Sequence, residues 1–237
     1  MATEEQMDEH TASLEVLAAI SWWVKSKKEQ GVNPNPKVSE LIPLMFKTLD
    51  SMYLETRRLP FTAISGANKR PHDHPDSFIF GLWLKNRDYI ALRSILALAG
   101  DLIYVSDKLK NLRQPPEIGN LIVSIFKQAD KFRDARDFFT HMDEALRDHS
   151  KHGISGRLTL DCGVRFTDNA KNNVYVIWDK STLYFSFENN QRKIVIDKPE
   201  FDEIFKQAKL LYTEIINNPV SQGSGNVKEP DQIYPLQ

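Results

Sequence analysis

Apolar residues recur at helical spacing through the first part of the chain and at alternate positions after Gly153. Between 11 and 30, "TASLEVLAAISWWVKSKKEQ" places Leu14, Leu17, Ala18, Trp22 and Val24 near helical spacing, and Gly31 ends the pattern. A second helix is expected from about Val38 to Arg58, with Pro43 acceptable only near its first turn. Residues 59 to 77, punctuated by Pro60, Gly66, Pro71 and Pro75, read as a loop. From Phe78 to Leu112 the apolar content suits one or two buried helices, with Gly100 as a point of interruption. Pro115 and Pro116 then mark a boundary, and Pro116 suits the first turn of the next helix.

That next helix changes face. With each residue advancing about 100°, Leu121, Ile122, Ile125, Phe126, Ala129 and Phe132 fall within about 80° of Ile118. Continued, the same stripe meets Arg136, Thr140, Asp143 and Arg147, while Phe138, Phe139, Met142, Ala145 and Leu146 gather about 100° away. A kink, a π-bulge or a junction of two helices between Arg133 and Arg136 accounts for the shift.

Beyond Gly153 the period becomes two. Leu158, Leu160, Cys162, Val164 and Phe166 alternate with polar neighbours, and "VYVIW", "LYFSF" and "KIVI" follow at short intervals. An antiparallel meander of about four strands is expected. Phe201, Ile204, Phe205, Ala208, Leu211 and Ile215 then form one face of a closing helix. The pattern predicts an α+β chain: a helical bundle, a small antiparallel β-meander and a C-terminal helix. Its expected divisions are a disordered N-terminus at 1–10, a helical domain at 11–152, sheet plus helix at 153–217, and a disordered tail at 218–237.

Composition narrows the chemistry. The 237 residues are 41% hydrophobic and 27% charged, ordinary for a globular protein. No apolar run approaches the length of a membrane span, and the acidic start "MATEEQMDEH" is unlike a secretory signal. One cysteine, Cys162, suits a reducing cytoplasm and excludes both an internal disulfide and a cysteine zinc cage. A net charge of −1 confines any nucleic-acid binding to a local patch.

The polar face after the shift holds Arg136, Asp137, Thr140, His141, Asp143, Glu144, Arg147 and Asp148. It reads either as a solvated helix end with Asp137–His141 and Asp143–Arg147 pairs, or as a site on which Arg136 and His141 converge. His72 and His74 flank Asp73 in "KRPHDHPD", a rigid loop or a weak metal site. Trp22–Trp23 suits packing better than base stacking, and Cys162 a small buried apolar position. Arg147, His149, Lys151 and His152 form a small basic cluster that suits a solvated junction better than a phosphate contact.

"RDFFTH", residues 136–141, resembles the arginine–four residues–histidine signature of the HEPN superfamily (higher eukaryotes and prokaryotes nucleotide-binding), with the polar residue after the arginine, here Asp137. The continuation "HMDEALRD" is similar to that of bacterial HEPN-like proteins, and the resemblance extends over the helical part, about 11–150. It implies a helical, usually dimeric domain and a metal-independent ribonuclease of the toxin or defence type, without cofactor. Some members are instead non-catalytic modules for protein or nucleotide binding. Under the resemblance, Arg136 holds the scissile phosphate, His141 transfers protons and Asp137 orients the imidazole. Arg133, Thr140 and Arg147 border them as substrate contacts. RNA, a second copy of the chain and a regulatory protein are the implied partners. Asp143 stands where tyrosine-modified members carry their tyrosine, and the sheet lies outside the common core.

Overall fold

The computed structural model describes residues 12–58, 86–141, 158–159, 165–166, 176–179, 181–217 and 232–235. The helices are α1 (Ala12–Glu29), α2 (Val38–Arg58), α3 (Asn86–Lys110), α4 (Pro116–Asp130), α5 (Arg133–Thr140) and α6 (Lys198–Ile216). The strands are β1 (Leu158–Thr159), β2 (Arg165–Phe166), β3 (Val176–Asp179), β4 (Thr182–Phe187) and β5 (Asn190–Val195). The chain is therefore an N-terminal helical bundle followed by a small antiparallel meander and a C-terminal helix. Among the described residues, no helix is long and apolar enough to cross a membrane.

Contacts divide the chain into two units made of interleaved segments. The first comprises residues 1–55, 98–130 and 201–237; the second comprises 56–97 and 131–200.

In the first unit, Val16, Ile20 and Trp23 of α1 are buried, as are Ile42, Met45, Phe46 and Leu49 of α2. Leu102 and Leu109 of α3, Ile118, Ile122 and Ile125 of α4, and Phe205, Ala208 and Leu211 of α6 complete that core. α1 ends as Gly31 suggests. Its φ of +81° lets the Gly31 and Val32 amides return to the Lys28 and Lys27 carbonyls, at 3.0 and 2.9 Å. α2 continues through Pro43, its sixth residue and thus beyond the first turn allowed from the sequence. The helix instead gains a firm start, where Asn35 Oδ1 accepts the Lys37 amide at 3.0 Å. α3 is likewise unbroken at Gly100.

The apolar positions that mark α1 in the sequence are its outward face. Leu14, Leu17, Ala18 and Trp22 are exposed, whereas Ala12, Val16, Ala19, Ile20 and Trp23 are buried. Both sets are apolar, so periodicity alone could not choose between them.

The first unit also encloses a polar knot. Asp50 of α2 is buried; one of its oxygens accepts the Ser13 amide at 3.0 Å and the other accepts the Tyr234 hydroxyl at 2.6 Å. Ser13 lies in the first turn of α1, where backbone amides lack partners and a carboxylate is favoured. Tyr234 also packs against the Tyr53 and Phe205 rings, at 5.3 and 5.2 Å, and Tyr53 donates to the Pro235 carbonyl at 3.0 Å. Residues 232–235 thus pack into the first unit although composition reads 218–237 as a disordered tail; residues 218–231 lie outside the described residues.

In the second unit, β3, β4 and β5 form a three-stranded antiparallel meander in that order, and β1 pairs antiparallel with β2. The alternation from Leu158 to Phe166 is therefore two short strands rather than one, with Leu158 opposite Phe166. Glu188 and Asn189 join β4 to β5 with φ of 49° and 58°, the two left-handed residues of a type I′ hairpin. β4 is the central strand, and Leu183 to Ser186 are buried.

α4 and α5 are separate helices. α4 ends at Asp130, Lys131 and Phe132 turn, and α5 begins at Arg133, so the break comes just before the expected window of Arg133 to Arg136. Its position explains the change of face. Ile118, Ile122, Ile125 and Ala129 belong to the first unit's core, whereas Phe132, Ala135, Phe138 and Phe139 belong to the second's. Two cores require two stripes, and the turn separates them.

Candidate functional site on helix α5

α5 is held by its apolar side. Phe138 packs on Phe185 of β4 with ring centroids 5.4 Å apart, and on Phe139 edge-to-face at 5.5 Å. Ala135, Phe138 and Phe139 are buried, leaving Arg133, Thr140 and His141 on the exposed side. Arg136 and Asp137 lie at the boundary, half-buried.

The charged groups meet across that boundary. Arg136 Nη1 donates to Asp137 Oδ1 at 2.6 Å, with the two side chains 41% and 30% exposed. Such a pair adds little stability, because water competes for both partners. It does fix the orientation of the guanidinium, whose other N–H groups can form a fork for a planar anion. His141 follows the helix as its C-cap, its amide donating to the Asp137 carbonyl at 3.0 Å. Its side chain therefore leaves the last turn beside Asp137.

Helical spacing places the charged residues on two edges. Asp134, Asp137 and His141 lie within about 60° of one another, whereas Arg136 is about 140° from His141. Asp137 stands between Arg136 and His141. One short helix thus directs Arg136 and His141 to opposite flanks of its polar face.

The sheet contributes a residue that the sequence reading passed over. Arg192 of β5 is paired in register with Phe185, so the two side chains share the face that packs on α5. Arg192 Nε lies 3.3 Å from Asp134 Oδ2, an ion-pair distance without hydrogen-bond alignment. A second guanidinium thus stands on the His141 edge of α5. Its only signal in the sequence was the register of a hairpin. Lys131 and Glu200 form a further surface pair at 2.9 Å.

Of the expected site residues, Arg133, Arg136, Asp137, Thr140 and His141 share α5 and its C-cap; Arg147 lies outside the described residues. His72, Asp73, His74, His149, His152 and Cys162 also lie outside them. Among the described residues, no three His, Cys, Asp or Glu side chains form a group that could hold a metal ion.

Among the described residues, the shifted ionisations fall in the first unit. Tyr234 is pushed well above the usual tyrosine value, first by burial and then by the charge and hydrogen bond of Asp50. Tyr212 rises by burial and by its hydrogen bond to Glu15. Burial acts against the charge on Lys27, but hydrogen bonds to Glu214 at 3.0 Å and Glu117 at 3.2 Å outweigh it and raise its pKa. Glu117 is lowered, first by its own backbone amide and also by Lys27. These groups hold the bundle together through satisfied hydrogen bonds, and their chemistry is structural.

No protein-family model matches the sequence, and neither the curated proteins nor the solved structures searched contain a match to it.

Proposed function

We propose that α5 carries the site of a metal-independent endoribonuclease of the toxin or defence type, active as a homodimer. The observation that supports the reading is the isolation of "RDFFTH" on its own short helix. Phe138 packs on the sheet and Phe139 on Phe138, while Arg136 and Asp137 lie at the edge of that buried side and His141 is exposed. The freedom from metal and the reaction class come from the resemblance to HEPN proteins.

In this reading the Arg136 guanidinium grips the scissile phosphate with the N–H groups that Asp137 leaves available, and offsets charge gathering on its oxygens. His141, from the partner copy, takes the proton of the 2′-hydroxyl as that oxygen attacks phosphorus. The bond to the 5′-oxygen breaks, and the leaving oxygen takes up a proton. The products are a 2′,3′-cyclic phosphate and a free 5′-hydroxyl. Asp137, one turn before His141, steers the imidazole through its second oxygen. Arg133, Thr140 and Arg147 contact the flanking strand. The setting is cytoplasmic, with a regulatory protein as a further partner.

The second reading is a non-catalytic module of the same family that binds protein or nucleotide. The Arg136–Asp137 pair favours it, because a carboxylate already on the guanidinium competes with phosphate. Purified protein with a broad panel of RNAs in chelator separates the two. Cleavage by the wild type and its loss in His141→Ala support the nuclease. Equal cleavage by both, or none by either, rejects it in favour of the binding module.

A further inference from the structure

Across β4 and β5, Arg192 brings a charge onto a sheet face that is otherwise uncharged. The other residues on that side are Leu183, Phe185, Phe187, Asn190 and Ile194. Phe185 packs on Phe138 of α5, and Arg192 stands opposite Phe185, so its guanidinium meets the helix at Asp134. An arginine whose work was to tie sheet to helix would align its fork on the carboxylate in a bidentate pair. Here Nε lies 3.3 Å from Asp134 Oδ2 without hydrogen-bond alignment, and it is enclosed with no acceptor. The side chain is nevertheless 41% exposed, which leaves the terminal amino groups as its open end. Arg192 is thus held in place while most of its fork of donors stays uncommitted.

We propose that Arg192 is a second phosphate contact of the α5 site, gripping the RNA strand at a phosphate away from the bond that is cut. The proposal deepens the reading of α5 as a ribonuclease site and rests on it for the identity of the strand. Position selects the ligand. Asp134 and His141 lie on one edge of α5, seven residues and so about 10 Å apart along its axis. A strand advancing about 3.4 Å per nucleotide covers that length in roughly three nucleotides. A strand laid along this edge with a 2′-hydroxyl at His141 carries a neighbouring phosphate to Arg192. A single nucleotide is too short to do so, and the site therefore favours a strand over a free nucleotide. Asp134 and Asp137 repel phosphate along the same edge, and Arg192 supplies the charge that offsets them.

The test is the affinity of a fluorescein-labelled single-stranded RNA in chelator, read by anisotropy over a series of salt concentrations. Every protein carries His141→Ala, so that the probe stays intact. Arg192→Ala should weaken binding about tenfold, as loss of a charge-assisted hydrogen bond does, and lower the salt slope by about 0.7, the worth of one phosphate contact on a single strand. Arg192→Lys should keep the slope and recover part of the affinity. Asp134→Asn should strengthen binding, because it removes the carboxylate that competes for Arg192. That gain should shrink when Arg192→Ala is combined with it. A merely structural pair behaves differently: either substitution breaks it, and both shift the affinity the same way. Melting curves check that each variant is folded.

Unchanged affinity and slope in Arg192→Ala, weaker binding in Asp134→Asn, or a parent that does not bind the RNA overturns the proposal. Cleavage by the chain with His141 intact is measured alongside. If it cleaves while Arg192→Ala binds as its parent does, the contact fails and the ribonuclease reading stands. If it cleaves nothing while Arg192→Ala and Asp134→Asn move in opposite directions, the ribonuclease reading fails and the contact stands.

Discussion

The Asp50 cluster of the first unit and the Arg136 cluster of the second use similar side chains under opposite conditions. Asp50 is buried and both its oxygens are occupied, by the Ser13 amide and the Tyr234 hydroxyl. Asp137 is partly exposed and holds one guanidinium at its surface. Inside, each polar group must find a partner, because an unsatisfied one costs about 1–3 kcal/mol; outside, water supplies the alternative. The buried cluster should therefore govern stability, and the exposed one should be free to bind and react.

The sharpest way to break that contrast is at His141. His141→Ala should reduce cleavage of RNA by about 10²–10⁴-fold, the usual worth of a positioned proton-transfer group, with the thermal midpoint nearly unchanged. Initial rates in chelator, beside a melting curve, check both halves. An equal loss of stability would make His141 a structural residue.

Arg136→Ala should lower cleavage by about 10²-fold, as removal of a donor to a developing charge does. Its effect on stability should stay below about 1 kcal/mol, because the pair with Asp137 is partly exposed. Urea titration and initial rates check this together.

Tyr234→Phe should act the other way. It removes the donor to a buried carboxylate and should destabilise the fold by about 1.5–3 kcal/mol while leaving cleavage per folded molecule unchanged. The midpoint of urea unfolding measures the cost. If the variant matches the wild type, the C-terminal segment does not secure the bundle.

The same contrast can be sharpened with pH. Tyr234 and Tyr212 have folded pKa values above the ordinary 10.0, so each binds its proton more tightly when folded. Their contribution is whole below about pH 10 and is lost as pH rises past it, because the unfolded chain ionises first. Stability should fall by about 1.4 kcal/mol per pH unit for each tyrosine in that range. Tyr234→Phe should remove one proton from the slope. Denaturant titrations at successive alkaline pH values read the slope directly. A slope unchanged in the variant would place the alkaline sensitivity elsewhere.

The smallest effect is expected at Arg192. Its ion pair with Asp134 is exposed, so Arg192→Ala should cost less than about 1 kcal/mol. Urea titration checks this limit, and a larger loss would show that the sheet is tied to α5 through this pair.

What the chain alone determined was the kind and order of its elements. Gly31 ends α1 because the left-handed cap favours glycine, and every apolar position read for α6 is buried, with Tyr212 and Ile216 added to the same face. The change of face after Phe132 was readable because periodicity records which side of a helix is greasy. Periodicity does not record which core that side enters. Only the tertiary structure showed that α4 and α5 serve different units, that one apolar face of α1 is buried and the other open, and that hairpin register brings Arg192 to Asp134. Tyr234 was hidden for a related reason: a single aromatic in a polar tail has no period, and its burial depends on Asp50 and Tyr53, which lie far from it in sequence. Local pattern fixes local structure, whereas partners distant along the chain are chosen by packing and by the need to satisfy each buried polar group.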